Sequence, residues 1–188
     1  MDEMNEKNGK RGGGVSSAKE IAFIAVFCAL LIGGQFLFSF LPGVEVVTAL
    51  LVCYSYVFGR VRGGIVAVAF SLLRQLVFGF FPSVLLLYLL YYPLLAFVFG
   101  SLGKKGRRIW TVIVCALFVS ALFTGLDNLI TPLWYGYSKK AALAYMVASL
   151  PVMGMQMLCS GVTVGVLFVP LTKAFLSAAK SARLPIAK

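Results

Sequence analysis

Long apolar runs, separated by short loops that carry basic residues, limit the folds open to this chain of 188 residues. A helix needs about 20 apolar residues to cross a bilayer core of about 30 Å. Six runs approach or reach that length: Ile21–Leu41, Val44–Phe58, Gly63–Phe81, Val84–Ser101, Ile109–Ile130 and Val152–Thr172. Only 12% of the residues are charged, against roughly a quarter in soluble domains. The sequence therefore predicts an all-α integral membrane protein, a bundle of six transmembrane helices over residues 18–176. It lies between a flexible tail, residues 1–17, and a basic tail, residues 177–188.

Two apolar segments depart from the length of a simple span. Val44–Phe58 is short, so it would have to stand upright, begin inside a loop or thin the bilayer. Ala141–Leu150 is cut from the last span by Pro151, and we expect it to form either an extracellular cap or an early turn of the last helix. A cleavable signal peptide is not expected, because the apolar run after the N-terminal tail is too long for one.

Basic residues lie mostly on one side of the predicted bundle. Lys139 and Lys140 fall on the other side, and Arg74 lies within a span. The remaining fourteen of the 17 share one side: Lys7, Lys10, Arg11, Lys19, Arg60, Arg62, Lys104, Lys105, Arg107, Arg108, Lys173, Lys180, Arg183 and Lys188. Since basic loops stay in the cytoplasm, both termini are predicted to be cytoplasmic. The net charge of +11 is thus a signal of topology, and nucleic acid is not an expected partner.

Acid–base catalysis, disulfide formation, metal binding and ATP hydrolysis are disfavoured, because the chain lacks the residues that they require or has them only at scattered positions. Histidine, the commonest general base and metal ligand near neutral pH, is absent. Cys28, Cys53, Cys115 and Cys159 lie singly inside apolar runs, without the paired spacing of a disulfide framework or a metal site. No phosphate-binding loop of the G-x-x-x-x-G-K-[ST] type occurs. We predict no catalytic residue, no metal ligand and no cofactor, and expect that the protein is not an enzyme.

Polar side chains within the spans fall in the half of the membrane away from the basic loops. Such groups are costly in a bilayer, and they are usually functional or paired. The inner half is expected to hold small, aromatic and aliphatic groups alone, so the pattern predicts a polar cavity above an apolar plug. A channel would need a polar lining through the whole thickness. The predicted substrate-binding residues are Gln35, Glu45, Arg74, Gln75, Tyr88, Asp127, Asn128, Trp134, Tyr137 and Gln156.

Each of these polar residues also has a structural interpretation. Arg74 is either a ligand group or half of an ion pair with Asp127 or Glu45. Glu45 opens a helix, where an acidic side chain offsets the helix dipole. Asn128 and Gln156 are equally suited to hydrogen bonds between helices.

Aromatic residues are concentrated on the same outer side. They form either an interfacial belt, which we expect for most of them, or a stacking wall for a flat ligand with Trp134 and Tyr137 on a lid loop. The set comprises Phe80, Phe81, Tyr88, Tyr91, Tyr92, Trp134, Tyr135 and Tyr137.

Small residues recur along the first span at spacings of four, three and four. Ala18, Ala22, Ala25 and Ala29 therefore share one face of a helix, with Gly33 one turn further. Small side chains allow another helix backbone to approach closely. Two interpretations are open, namely packing inside the bundle and docking of a partner membrane subunit.

These features together resemble the substrate-binding S components of energy-coupling-factor (ECF) vitamin transporters. The run KEIAFIA from Lys19 to Ala25 is similar to the start of their first helix, and AVFCA from Ala25 to Ala29 to their A-x-x-x-A docking motif. LPGVEVVT from Leu41 to Thr48, with YVFG from Tyr56 to Gly59, resembles the cobalamin-type branch.

The resemblance implies a multi-pass protein of a prokaryotic cell membrane that captures a vitamin from outside. It implies docking through the alanine face onto a transmembrane coupling subunit driven by two ATPase subunits. Cobalamin or a precursor is the first choice of ligand by this resemblance, with riboflavin, thiamine or a queuosine precursor as alternatives. The competing hypothesis from another class is a stand-alone secondary transporter or channel for a small organic solute, although no internal repeat is evident.

Overall fold

The computed structural model describes residues 18–38, 40, 46–106, 108–184 and 186. The predicted tail of residues 1–17 and the candidate ligand residue Glu45 lie outside these residues. The described part contains helices and no strand, which confirms the all-α prediction. The helices are α1 (Ala18–Leu37), α2 (Val46–Phe58), α3 (Arg60–Phe78), α4 (Pro82–Lys104), α5 (Ile109–Trp134) and α6 (Lys139–Ala182).

Five of these helices, all except α2, are long and apolar enough to cross a membrane. Their composition supports a multi-pass membrane protein. The longest is α6, whose 44 residues give a length of about 66 Å at 1.5 Å per residue. Ala141–Leu150 forms early turns of this helix, as one of the two alternatives predicted, and is not a separate element. Pro151 lies inside α6 and does not end it.

The short helix α2 lies at the centre of the bundle. Its 13 residues include eleven that are buried, and α1, α3, α4 and α6 all pack against it. A helix that is apolar on every side belongs in a protein interior. At about 20 Å, α2 is shorter than a bilayer core. Because other helices surround it, it can be short without exposing polar backbone ends to lipid. The sequence could not supply this explanation.

The helices meet at two chemically different ends. At one end the last part of α6 packs on α1 and α2, with the Phe175 ring 5.4 Å from Phe27 and 6.2 Å from Tyr54 between centroids. We call this the basic end, because its described residues include Lys19, Arg60, Arg62, Lys104, Lys105, Arg108, Lys173, Lys180 and Arg183. We call the other the opposite end, where α1, α3 and α5 end and α4 and α6 begin.

Candidate functional site

Two predicted site residues, Gln35 of α1 and Arg74 of α3, contact a third, Tyr88 of α4, near the opposite end. Gln35 Nε2 donates a hydrogen bond to Tyr88 OH at 3.4 Å. The Arg74 guanidinium carbon lies 4.7 Å from the centroid of the Tyr88 ring and 5.1 Å from that of Phe78. Gln75 Oε1, in the same turn of α3 as Arg74, accepts a hydrogen bond from the backbone N–H of Phe81 at 3.2 Å. We call Gln35, Arg74, Gln75 and Tyr88 the Arg74 cluster.

The Arg74 cluster contains buried polar atoms that have no hydrogen-bond partner among the described residues. These atoms are Nε and Nη1 of Arg74, Nε2 of Gln75 and Oε1 of Gln35. Gln75 is 6% exposed and Tyr88 8% exposed, whereas Gln35 and Arg74 are half-buried. An unsatisfied buried polar group costs about 1–3 kcal/mol. A bound molecule that offers an acceptor to Arg74 or Gln75, or a donor to Gln35, would satisfy the atom that it reaches.

Two other predicted site residues hold α5 and α6 together. Thr124 Oγ1 donates to Gln156 Oε1 at 2.7 Å. Asn128 Nδ2 donates to Ser149 Oγ, also at 2.7 Å. Of the two interpretations of Asn128 and Gln156, the structure therefore shows interhelical hydrogen bonding.

Asp127 belongs to the same contact between α5 and α6. Its Oδ2 accepts a hydrogen bond from Tyr145 OH at 2.6 Å, and its Oδ1 accepts one from Thr131 Oγ1 at 2.7 Å. Both carboxylate oxygens are thus used by hydroxyl groups. The suggested ion pair between Arg74 and Asp127 is not formed. The alternative partner, Glu45, is outside the described residues.

A cavity of about 250 Å³ lies beside these contacts between α5 and α6. Drug-sized ligands usually occupy about 300–1,000 Å³, so this cavity is small. Phe123 lines it and also contacts the tyrosines of α4, with ring centroids 6.0 Å from Tyr88 and 4.9 Å from Tyr91. Among the described residues, the predicted polar residues thus form two groups, the Arg74 cluster and the contacts between α5 and α6, and Phe123 lies between them.

The aromatic residues divide between core and surface. Tyr88, Tyr91 and Tyr92 are 8%, 1% and 6% exposed, so the interfacial-belt interpretation is wrong for them. Trp134 ends α5 and is 53% exposed, and no described contact brings it to the Arg74 cluster. Tyr137 packs edge-on against Tyr145 at 6.0 Å, next to Asp127 rather than Arg74. A lid formed by Trp134 and Tyr137 over the Arg74 cluster is therefore absent from the described contacts.

The alanine face of α1 points away from the rest of the described chain. Ala18, Ala22, Ala25 and Ala29 are all exposed. Glu20, Ile24, Phe27, Cys28 and Leu31 form the buried side of the helix. A Cβ added at Gly33 would meet no atom within 4 Å. Packing of this face inside the described bundle is therefore excluded, and no described residue covers it.

The sequence missed a buried ion pair near the basic end. Arg62 Nη2 lies 3.0 Å from Glu20 Oε1, with the side chains 15% and 5% exposed. The expectation that the inner half holds small, aromatic and aliphatic groups alone is wrong here. Both residues adjoin apolar runs on the same predicted side, and this shared position was the available signal. Among the described residues, no group of His, Cys, Asp and Glu could hold a metal ion.

Comparisons of the chain with protein-family models, with curated proteins and with solved structures find no match. The geometry of the Arg74 cluster and of the exposed surfaces therefore carries the functional conclusion.

Proposed function

We propose that this chain is the substrate-binding subunit of an ATP-driven importer of the energy-coupling-factor type. The observation that carries the proposal is the Arg74 cluster, with its buried polar atoms that lack described partners. Polar groups kept unsatisfied inside a membrane domain are expensive, and a ligand would satisfy them. The exposed small-residue face of α1 supports the second half of the proposal, because an S component must dock on a coupling subunit.

The proposal includes six crossings with both termini in the cytoplasm of a prokaryotic cell. Five helices have the length and composition of spans, and α2 would be a sixth crossing shielded by its neighbours. The basic end would face the cytoplasm, since the described basic residues at the opposite end, besides Arg74 within α3, are Lys139 and Lys140 at the start of α6. The Arg74 cluster would then open toward the outside, where the substrate is captured.

The proposed ligand is a small vitamin or related micronutrient with an acidic or carbonyl group. Arg74 and Gln75 present donors to such a group, and Gln35 presents an acceptor. The Tyr88 ring adds an aromatic surface, although Arg74 already covers part of it. Among such ligands, cobalamin or a precursor stays the first choice by the sequence resemblance.

Ligand binding should depend on Arg74 and much less on Asp127. We expect Arg74→Ala to reduce ligand occupancy about 10- to 100-fold, since hydrogen bonds to charged groups contribute about 1.5–3 kcal/mol. Native mass spectrometry of small molecules retained by the purified chain measures this occupancy. Arg183→Ala, at the exposed end of α6, removes the same charge and should leave occupancy unchanged. Retention of the ligand by both Arg74→Ala and Gln75→Ala would move the site elsewhere.

Docking should depend on the alanine face of α1. We expect Ala25→Trp and Ala29→Trp each to abolish co-purification with the coupling and ATPase subunits, because an indole prevents close helix approach. Thermal stability should hardly change, since both positions are exposed. Leu30→Trp is the matched control, because Leu30 is 51% exposed and lies about 100° further around the helix than Ala29. Unchanged assembly of both alanine variants would mean that docking uses another surface. Uptake by vesicles that contain this chain alone, without nucleotide, would instead favour a stand-alone transporter.

A further inference from the structure

A second cavity, of about 480 Å³, lies at the basic end between the start of α3 and the end of α4. Its walls include Arg60 and Arg62 of α3, Lys104 at the end of α4 and Lys105 just after α4. It is far from the Arg74 cluster, which belongs to the opposite end of the same two helices. Nothing in the proposed transport function uses it.

The positive charge around this cavity is not balanced by the described chain. Arg62 is paired with Glu20, but no described carboxylate lies within 4.0 Å of the other three basic side chains. The sequence explains why, since residues 7–188 contain three acidic residues. Besides Glu20, these are Asp127, which is hydrogen-bonded at the opposite end, and Glu45, which directly precedes α2. An anion from outside these residues would therefore be attracted strongly.

The backbone also contributes positive electrostatic potential at this cavity. α3 begins directly after Gly59, and no side chain caps its first N–H groups. Such a helix start carries about half a positive charge and favours anions. Lys104 lies in the last turn of α4, where a cation also offsets the carbonyl end of that helix, so its position alone does not require a ligand. An anion is favoured here by three features together: Arg60 without a described carboxylate partner, the uncapped start of α3, and Lys105.

Apolar side chains continue from the cavity along the outer surface of both helices. Val61 and Ile65 of α3 are 49% and 39% exposed, and Phe97 and Leu94 of α4 are 54% and 41% exposed. The Arg60 guanidinium carbon lies 5.5 Å from the centroid of the Phe97 ring, where the charged wall meets the apolar surface. A ligand suited to both regions has an anionic head and a hydrocarbon tail.

We propose that this cavity binds the phosphate headgroup of an anionic phospholipid, with the acyl chains lying along α3 and α4. Basic pockets between membrane helices on the cytoplasmic side are suited to such headgroups. A soluble phosphate would use the charges but not the adjoining apolar surface. This site is independent of the importer function, because it requires only that the basic end meet the membrane surface.

Native mass spectrometry of the full chain, titrated with phosphatidylglycerol or phosphatidylcholine in detergent micelles, tests the proposal. We expect the wild-type chain to retain phosphatidylglycerol roughly tenfold or more over phosphatidylcholine, from the attraction of several basic groups. The variant R60Q/K104Q/K105Q should lose this preference. The control K173Q/K180Q/R183Q removes the same charge from the basic end outside the cavity, and it should keep the preference within about twofold.

Each other outcome overturns the proposal. Equal loss in the two triple variants would mean diffuse attraction to the whole basic end. No preference in the wild-type chain would mean that the cavity is not a lipid site. Displacement of phosphatidylglycerol by millimolar inorganic phosphate would identify a soluble phosphate ligand instead. If the cavity variant fails to fold, the single variant K105E, at an exposed residue just after α4, must still lower phosphatidylglycerol retention relative to K180E.

Discussion

Replacement of Glu20 by Gln is expected to lower the free energy of unfolding by about 3–5 kcal/mol. The Arg62 guanidinium would keep its charge but lose the carboxylate that lies 3.0 Å away. Both side chains are largely buried, at 5% and 15% exposure, so water cannot replace the missing partner well. Denaturation of the purified protein in detergent, followed by tryptophan fluorescence, measures the change.

A double-mutant cycle separates the ion pair from general damage to the fold. The double variant Glu20→Gln with Arg62→Met removes both charges, so it should be more stable than Glu20→Gln with Arg62 intact. Lys173→Gln, at an exposed site of the same end, should change stability by no more than about 0.5 kcal/mol. A coupling free energy near zero would show that Glu20 and Arg62 are not paired in the folded protein.

The Glu20–Arg62 ion pair is also a feature that could not be predicted from the sequence. Hydropathy treats each helix separately, and the predicted runs began at Ile21 and Gly63, just after the two charged positions. Glu20 and Arg62 therefore lay outside the predicted apolar runs, and no partner was predicted for either. Which residues at the ends of helices are buried depends on which helices are neighbours, and neighbours are set by packing rather than by the composition of one segment.

The helices themselves were predictable because apolar runs are bounded by basic residues, Gly and Pro. The fifth run was expected to begin at Ile109, where α5 does begin. The prediction for Pro151 was wrong, because a proline inside an apolar helix can be tolerated when packing on one side continues. Here α5 packs along α6 and bonds to Ser149, two residues before the proline.

The sequence predicted how deep in the membrane each candidate site residue lies, but not how each helix is rotated about its own axis. Depth follows from 1.5 Å per residue, and the described contacts do bring Gln35, Arg74 and Tyr88 together. Rotation is set by packing, and it turns Asp127 toward Tyr145 instead of Arg74. For this reason the sequence predicted one polar cavity, whereas the described polar residues form two groups.

The second large effect is expected for Gly103→Ala, which should destabilise the fold by about 1–3 kcal/mol. A Cβ at Gly103 would overlap the backbone carbonyl of Tyr56, and one at Gly100 would overlap the backbone N–H of Arg60. The two glycines are three residues apart and therefore share a face of α4. They let α4 approach the corner between α2 and α3, where rigid backbone atoms cannot move aside as a flexible side chain can.

The same Gly→Ala substitution elsewhere in the chain should change the stability of the fold by a different amount or in the opposite direction. A Cβ at Gly125 of α5 would meet nothing within 4 Å, so Gly125→Ala should raise stability by up to about 1 kcal/mol through helix propensity. At Gly161 of α6 the obstacle is Leu117 Cδ2 at 2.8 Å, the end of a flexible side chain, and we expect an intermediate effect. Thermal unfolding of the three variants in one detergent gives their order. Equal melting temperatures for Gly103→Ala and Gly125→Ala would mean that α4 does not contact the corner between α2 and α3. The cavity proposed for the phospholipid would then lack the wall that contains Lys104 and Lys105.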